Sequence, residues 1–580
     1  MNINKSTLHR FRKYILIMSV LNITILTGCA SKDSNSALLK TACSNMVEYI
    51  LCHDAITCNY NVMKPENYIS GPVPTTLGSY YSVSSSGNAF WENELALMDS
   101  VSYKDLSGED KLTYNALYQY LKLAMKTVKY PYYDEPLSPV SGIQVELPIL
   151  LAEYHLYNPS YIETYFNVIK SVPDYIADIL DYENEKIKNK TFMSGEQVDV
   201  IIKQCKDFIA DADTNYLIDS FDTRLSELTS LTPDDISRYS SLNKQLITQY
   251  IIPAYQSIID FLWSNRNISD TPTGLCGYGK AGKAYYKLLF RQITNCSYKP
   301  DKAYDILNDT LLECKTAISD IISKSDNPAE LSGLSLPIKA SVTPGELVAS
   351  LKQSIAQTYP ALSKDNTLQL KAVHPSLEKS LSPAMYLTPP IDAESSDCIY
   401  INNSSCQPDD LYTTLAHEAY PGHLYQTRYY MSCSPPAVRL LLNFSGWIEG
   451  WATYAELDSL NLIGTDVAGI LKYNKLATLC IYSITDIGVH YMGWDIMDTI
   501  RFLKENGIND TSASKEIYIS VISEPVLYPK YTMGCIEFMK LKNAEMKKEG
   551  SSFNPLIFHK KILETGPIWF DVLWDIFDKE

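Results

Sequence analysis

Leu411-Tyr-Thr-Thr-Leu-Ala-His417-Glu418-Ala-Tyr-Pro421-Gly422-His423-Leu-Tyr-Gln426 gathers two histidines and a glutamate within seven residues, in a chain of 580 residues that holds only 8 His. On a helix bearing His-Glu-x-x-His, residues four apart share a face, so two imidazoles reach one ion and the Glu can activate a water. Here the second histidine comes six positions on. In a straight helix that is roughly 600° of turn and roughly 9 Å of rise, which keeps the rings apart. Pro421 cannot donate to the His417 carbonyl and clashes with it, at a cost of about 3 kcal/mol in a regular helix. Gly422 then lets the backbone leave helical geometry at little cost. A helix broken between its histidines is most simply explained by a metal drawing both inward. The plainer alternative is a Pro-Gly helix stop with both histidines at the surface or in the core.

Downstream, Trp447-Ile-Glu449-Gly-Trp-Ala-Thr-Tyr-Ala-Glu456 reads as a second helix. Glu449 and Glu456 are seven apart and share a face. A carboxylate there could complete a three-ligand site and leave a fourth position open for water.

These residues resemble the bacterial domain-of-unknown-function family 885, whose members look like relatives of helical zinc metallopeptidases. The resemblance rests on His417-Glu418-Ala-Tyr-Pro421-Gly422-His423 followed by Glu449-Gly450-Trp451-Ala-x-Tyr454-Ala-Glu456. It extends to Pro139-Val-Ser-Gly142-Ile-Gln144 with Leu151-Ala-Glu153-Tyr154-His155, and to Gly274-Leu with Gly282, Tyr285-Tyr286 and Thr294. Farther on it includes Asp486-x-x-x-His490-x-x-Gly493-Trp494, Pro525…Tyr531-x-x-Gly534 and Phe558-His559…Gly566. The chain has Leu527 where that family usually carries Gln.

What the resemblance implies is a mainly α, large helical metallopeptidase-like fold with a small β element near the active-site cleft. It implies one zinc ion per chain on His417, His423 and Glu449. Glu456 is then the alternative third ligand, or a group orienting a histidine. Glu418 takes the role of general base. Tyr531 and His490 are candidate donors to a charged carbonyl oxygen, with Asp486 four residues before His490 to orient its ring. Ala384-Met-Tyr386-Leu-Thr-Pro-Pro and Asp397–Asn402 read as two short strands, and family likeness makes Ile399–Asn402, with Tyr400 and Asn402, an edge that aligns substrate.

The first residues are a processing signal. Lys5, Arg10, Arg12 and Lys13 precede an apolar run, Tyr14–Leu26, too short to span a bilayer comfortably. Leu26-Thr-Gly-Cys29 resembles a bacterial lipobox, which makes Cys29 the lipidated first residue of the mature chain. The expected organisation is a signal peptide over 1–28, the lipidated Cys and a polar tether over 29–40, a helical lobe over 41–335 and a catalytic lobe over 336–580. The Ser/Gly/Pro-rich stretch 330–345 marks the lobe boundary.

With 50 basic and 67 acidic residues the net charge is −17, and the four basic residues of the signal leave an even more acidic mature chain. Such a surface repels nucleic-acid phosphates. Of 13 Cys, none has zinc-knuckle spacing, and Cys398 with Cys406, or the Cys43, Cys52 and Cys58 group, could pair in an exported protein. Tyr161 to Leu180 and Leu246 to Leu262 carry apolar residues at helical spacing, the first running past Pro173 and the second kinked at Pro253. Gly277-Tyr-Gly279-Lys-Ala-Gly282 fits the dinucleotide fingerprint formally, but loop residues precede it where a strand is required, so no nucleotide cofactor is expected.

The resulting expectation is a lipid-anchored zinc peptidase of the bacterial cell envelope, acting on peptides. The alternatives are a lipoprotein that captures peptides without cleaving them, and a zinc amidase acting on cell-wall amides.

Overall fold

The structure, a computed structural model, describes residues 32–578 apart from 269–272, 326–330, 332–334, 340, 364–366, 374–377, 379–382, 394–395 and 403–406. The signal peptide, Cys29 and Cys406 lie outside these, as do residues 330, 332–334 and 340 of the stretch expected to divide the lobes. Among the described residues helix follows helix over most of the length, with one three-stranded sheet in the second half. The fold is mainly α, as its periodicity implies.

The first helix, α1 (Lys32–Leu51), already covers most of the segment expected as a tether. Asn35 and Leu39 are buried, so this stretch is part of the folded body. Helix α2 (Ser160–Asn189) runs through Pro173 and buries Ile162, Tyr165, Phe166, Ile169, Val172, Ile176 and Ile179. The second stripe breaks more sharply. A helix over Pro233–Leu246 passes into a π-turn, Ile247–Ile251, and resumes as α3 (Ile252–Asn265) with Pro253 in its first turn. The wide turn accommodates a proline that has no N–H to give the preceding ladder. The glycine-rich stretch is a 3₁₀ turn, Leu275–Tyr278, leading into α4 (Gly279–Thr294). Helix α5 (Pro300–Lys324) follows.

The sheet comprises β1 (Thr367–Ala372), β2 (Ala384–Leu387) and β3 (Ser396–Ile401), in the order β1-β3-β2. Strand β3 pairs parallel with β1 and antiparallel with β2, Tyr386 lying opposite Ile399. The strand expected to be an edge is therefore the centre of the sheet, with its backbone engaged on both sides. Beyond it come α6 (Pro408–Glu418), α7 (His423–Ser432), α8 (Ser445–Ile463), α9 (Asp466–Ile487) and α10 (Leu527–Glu549).

Among the described residues two large buried apolar clusters form beside a small one around Val489 and Tyr518, and the largest crosses the boundary expected at 335. Of the two large ones, the smaller draws on residues 55–262, whereas the larger joins residues 39–123 to 275–577. Helix α5, assigned by sequence to the first lobe, packs along α9. The eleven described cysteines all carry free thiols. Among the described residues no helix is long and apolar enough to cross a membrane.

Candidate metal centre

Helix α6 ends at Glu418 and α7 begins at His423, so the break falls between the two histidines. The Tyr420–Pro421 peptide within it is cis. Gly422 is required for room and not for an unusual φ, which is −77°. A Cβ at this position would stand 1.7 Å from the His417 carbonyl oxygen. The Trp451 indole N–H, reaching across from α8, donates to the Pro421 carbonyl at 3.0 Å and holds the loop from beneath. The two imidazoles are brought to 4.8 Å between centroids, with planes at 82°.

Glu449, on the first turns of α8, closes a triangle with them. Its Oε2 stands 3.5 Å from His417 Nε2 and 3.4 Å from His423 Nε2. The three candidate ligand atoms all lie within 4.8 Å of one another. Ligands at zinc distances in a tetrahedron are themselves about 3.3–3.5 Å apart, so this donor set fits such an ion. Burial raises the Glu449 carboxyl, yet the two histidines outweigh it and hold the group well below the usual carboxylate range. Glu456 stands behind the triangle. Its Oε2 lies 3.3 Å from the other nitrogen of His417, Nδ1, and its Oε1 takes the Lys475 ammonium. A carboxylate on Nδ1 fixes the ring and leaves Nε2 directed at the triangle. Lys475 carries no local motif and was not legible in sequence.

Glu418 is anchored by the sheet: its Oε2 accepts the Tyr386 backbone N–H of β2 at 2.9 Å. Helix α10 brings Tyr531 beside the triangle, its ring 6.3 Å from that of His417. That approach needs glycines. A Cβ on Gly450 of α8 would sit 2.4 Å from Gly534 Cα, and one on Gly534 would sit 1.9 Å from the Gly446 carbonyl oxygen. Burial, then the charges of Glu449, Glu524 and Glu418, push the Tyr531 phenol well above its ordinary range, so it keeps its proton near neutrality.

Other sequence candidates stand elsewhere. His490 lies in a π-turn, Gly488–Met492, and both its ring nitrogens are taken by backbone. Nδ1 accepts from Leu275 N at 3.0 Å, and Nε2 lies 2.8 Å from the Val521 carbonyl oxygen. Burial lowers its pKa to about 4, and it is a structural histidine with no nitrogen left for a substrate. Asp486 does not orient it; that carboxylate accepts from the Tyr286 hydroxyl and the Val526 N–H. Asn402 is buried, and its amide donates to the Glu378 carbonyl at 2.7 Å. Tyr400 donates to Glu153 Oε2 at 2.5 Å. Neither is presented along a free strand edge, because the strand that carries Tyr400 is the central one.

The family model for bacterial proteins of unknown function, DUF885, matches residues 83–575, and the chain belongs to that family. A comparison with curated proteins finds no match. The fold is similar to that of a presumptive lipoprotein from Colwellia psychrerythraea, with a TM-score of 0.82 at 16% identity, over 95% of this chain and 100% of that one. It is also similar to a presumptive lipoprotein of unknown function from Shewanella oneidensis, with a TM-score of 0.63 at 13% identity, over 94% of this chain and 100% of the other.

Proposed function

We propose that this protein is a zinc-dependent peptidase held at the bacterial cell envelope by a lipid on Cys29. The observation that carries the reading is the His417–His423–Glu449 triangle with Glu418 and a protonated phenol beside it. His417, His423 and Glu449 hold the ion. Zinc supplies Lewis acidity there, lowering the pKa of a water to about 7 and polarising a carbonyl. Glu418, steadied by the Tyr386 N–H, takes the proton of the attacking water and passes it to the leaving amine. Tyr531 donates to the carbonyl oxygen as that oxygen gains charge, an interaction commonly worth about 2.7–4 kcal/mol. Glu456 and Lys475 keep the His417 ring turned so that Nε2 faces the ion. Substrate backbone aligns along β2, the sheet edge nearest Glu418. The lipoprotein descriptions of the two similar structures support the anchor.

The test is a scan of zinc-loaded protein against peptides of varied length with free and blocked ends, alongside Glu418→Gln. That near-isosteric change removes only the base and is expected to lower turnover about 10²–10⁴-fold with zinc retained. Cleavage at the parent rate by the variant contradicts the role of Glu418. Binding without any cleavage by the parent favours a peptide-capturing protein.

A further inference from the structure

Val526, immediately before α10, holds φ +70° and ψ 15°, a left-handed conformation that β-branched residues rarely adopt. It occupies the N-cap position. There a Ser, Thr, Asp or Asn side chain ordinarily accepts from the first free N–H groups of the helix, and valine has no acceptor to offer. What another helix supplies is an acceptor for the N–H of Val526 itself, one of the free donors at the head of α10. Asp486, fully buried in the last turn of α9, takes the Val526 N–H on Oδ2 at 2.9 Å and the Tyr286 hydroxyl on Oδ1 at 2.6 Å.

Three residues earlier on α9, Ser483 Oγ lies 2.8 Å from Thr532 Oγ1 of α10. Two polar ties from α9 thus flank the opening turns of α10, one at Val526 and one at Thr532. Tyr531 stands between them. The same junction is closed on its other side, where His490 fixes the Val521 carbonyl.

We infer that Asp486 is a positioning residue that caps α10 from a different helix, and that by holding the strained Val526 turn it sets how Tyr531 faces the His417–His423–Glu449 triangle. Its effect on turnover rests on the peptidase reading; its effect on the turn does not. A displacement of about 1 Å in a reacting group can cost on the order of 10²-fold in rate, so a cap remote from the chemistry can govern it.

The experiment uses the full mature protein as Asp486→Ala, Asp486→Asn and the double variant Asp486→Ala/Val526→Gly. It reads amide hydrogen exchange over residues 524–531, zinc content, and kcat and KM on a peptide that the parent cleaves. Asp486→Ala is expected to speed exchange there and to lower kcat, each by about tenfold or more, with KM and zinc content little changed. Asp486→Asn keeps an acceptor for Val526 and is expected to stay within about threefold of the parent. Glycine adopts the left-handed conformation without strain, so the double variant is expected to regain about a third or more of the lost kcat. A mere packing defect at position 486 would not respond to a glycine at 526.

Unchanged exchange in Asp486→Ala, or a double variant no better than the single one, overturns the inference. If Asp486→Ala does not fold, recovery of a folded protein by Val526→Gly supports it, and failure of the double variant to fold overturns it. If the parent cleaves no peptide, the peptidase reading fails separately and the exchange result alone decides whether Asp486 caps α10.

Discussion

Trp451 shows how far a single hydrogen bond reaches at this site. Its indole N–H on the Pro421 carbonyl ties α8, which carries Glu449, to the loop that folds His423 back toward His417. Trp451→Phe keeps most of the buried ring and leaves that carbonyl without its partner. The expected cost is about 1–3 kcal/mol of stability and about 10–100-fold in zinc affinity, read by thermal melting and by competition with a chelator. Zinc affinity equal to the parent's would show that the loop holds its shape without this bond. His417, His423 and Glu449 were legible in sequence because histidine is scarce in this chain and only a broken helix reconciles the spacing of these two. Asp486 and His490 were not. Their four-residue separation suggests stacking on one helical face, but the π-turn at Gly488–Met492 shifts the register and both side chains find partners far away in sequence. No local pattern reports such partners.

Among the elements, the pairing of α8 with α10 positions Tyr531, and it depends on glycine meeting glycine. Gly450→Ala places a Cβ 2.4 Å from Gly534 Cα, closer than packed atoms tolerate. The helices must separate, at an expected cost of about 1–3 kcal/mol or more, read as a lowered melting temperature with a loss of turnover exceeding the loss of zinc. Unchanged melting and turnover would mean that the two backbones do not approach so closely. The long amphipathic helices could be read from their spacing because burial of one face imposes it. The sheet was only half legible. Strands β2 and β3 were visible as short apolar runs, whereas β1 was missed despite Leu368 and Leu370 alternating with polar neighbours. Which strand lies at the centre depends on pairing over some 30 residues, and alternation within a strand carries no information about its neighbours.

For the whole molecule, one apolar core joins residues 39–123 to 275–577, so the helices near the amino terminus brace the metal-centre half of the chain. The boundary expected at 335 reflected composition alone, and composition marks loops without saying which helices pack together. Folding starts close to the proposed lipid: α1 begins at Lys32, three residues after Cys29. A catalytic body so near its anchor would work close to the membrane surface. Cys29→Ser is expected to move the protein from the detergent phase to the aqueous phase in a phase-partition assay, and unchanged partitioning contradicts the anchor. The central claim, that His417, His423 and Glu449 hold a catalytic ion, is tested most directly by the metal content of the purified mature chain and its variants. The parent is expected to bind about one zinc, lost in His417→Ala, His423→Ala and Glu449→Ala and largely kept in Glu456→Ala, where a group beside the site and not a ligand is removed. A parent that takes up no metal after zinc loading, or a Glu449→Ala variant that keeps its zinc, would contradict that claim.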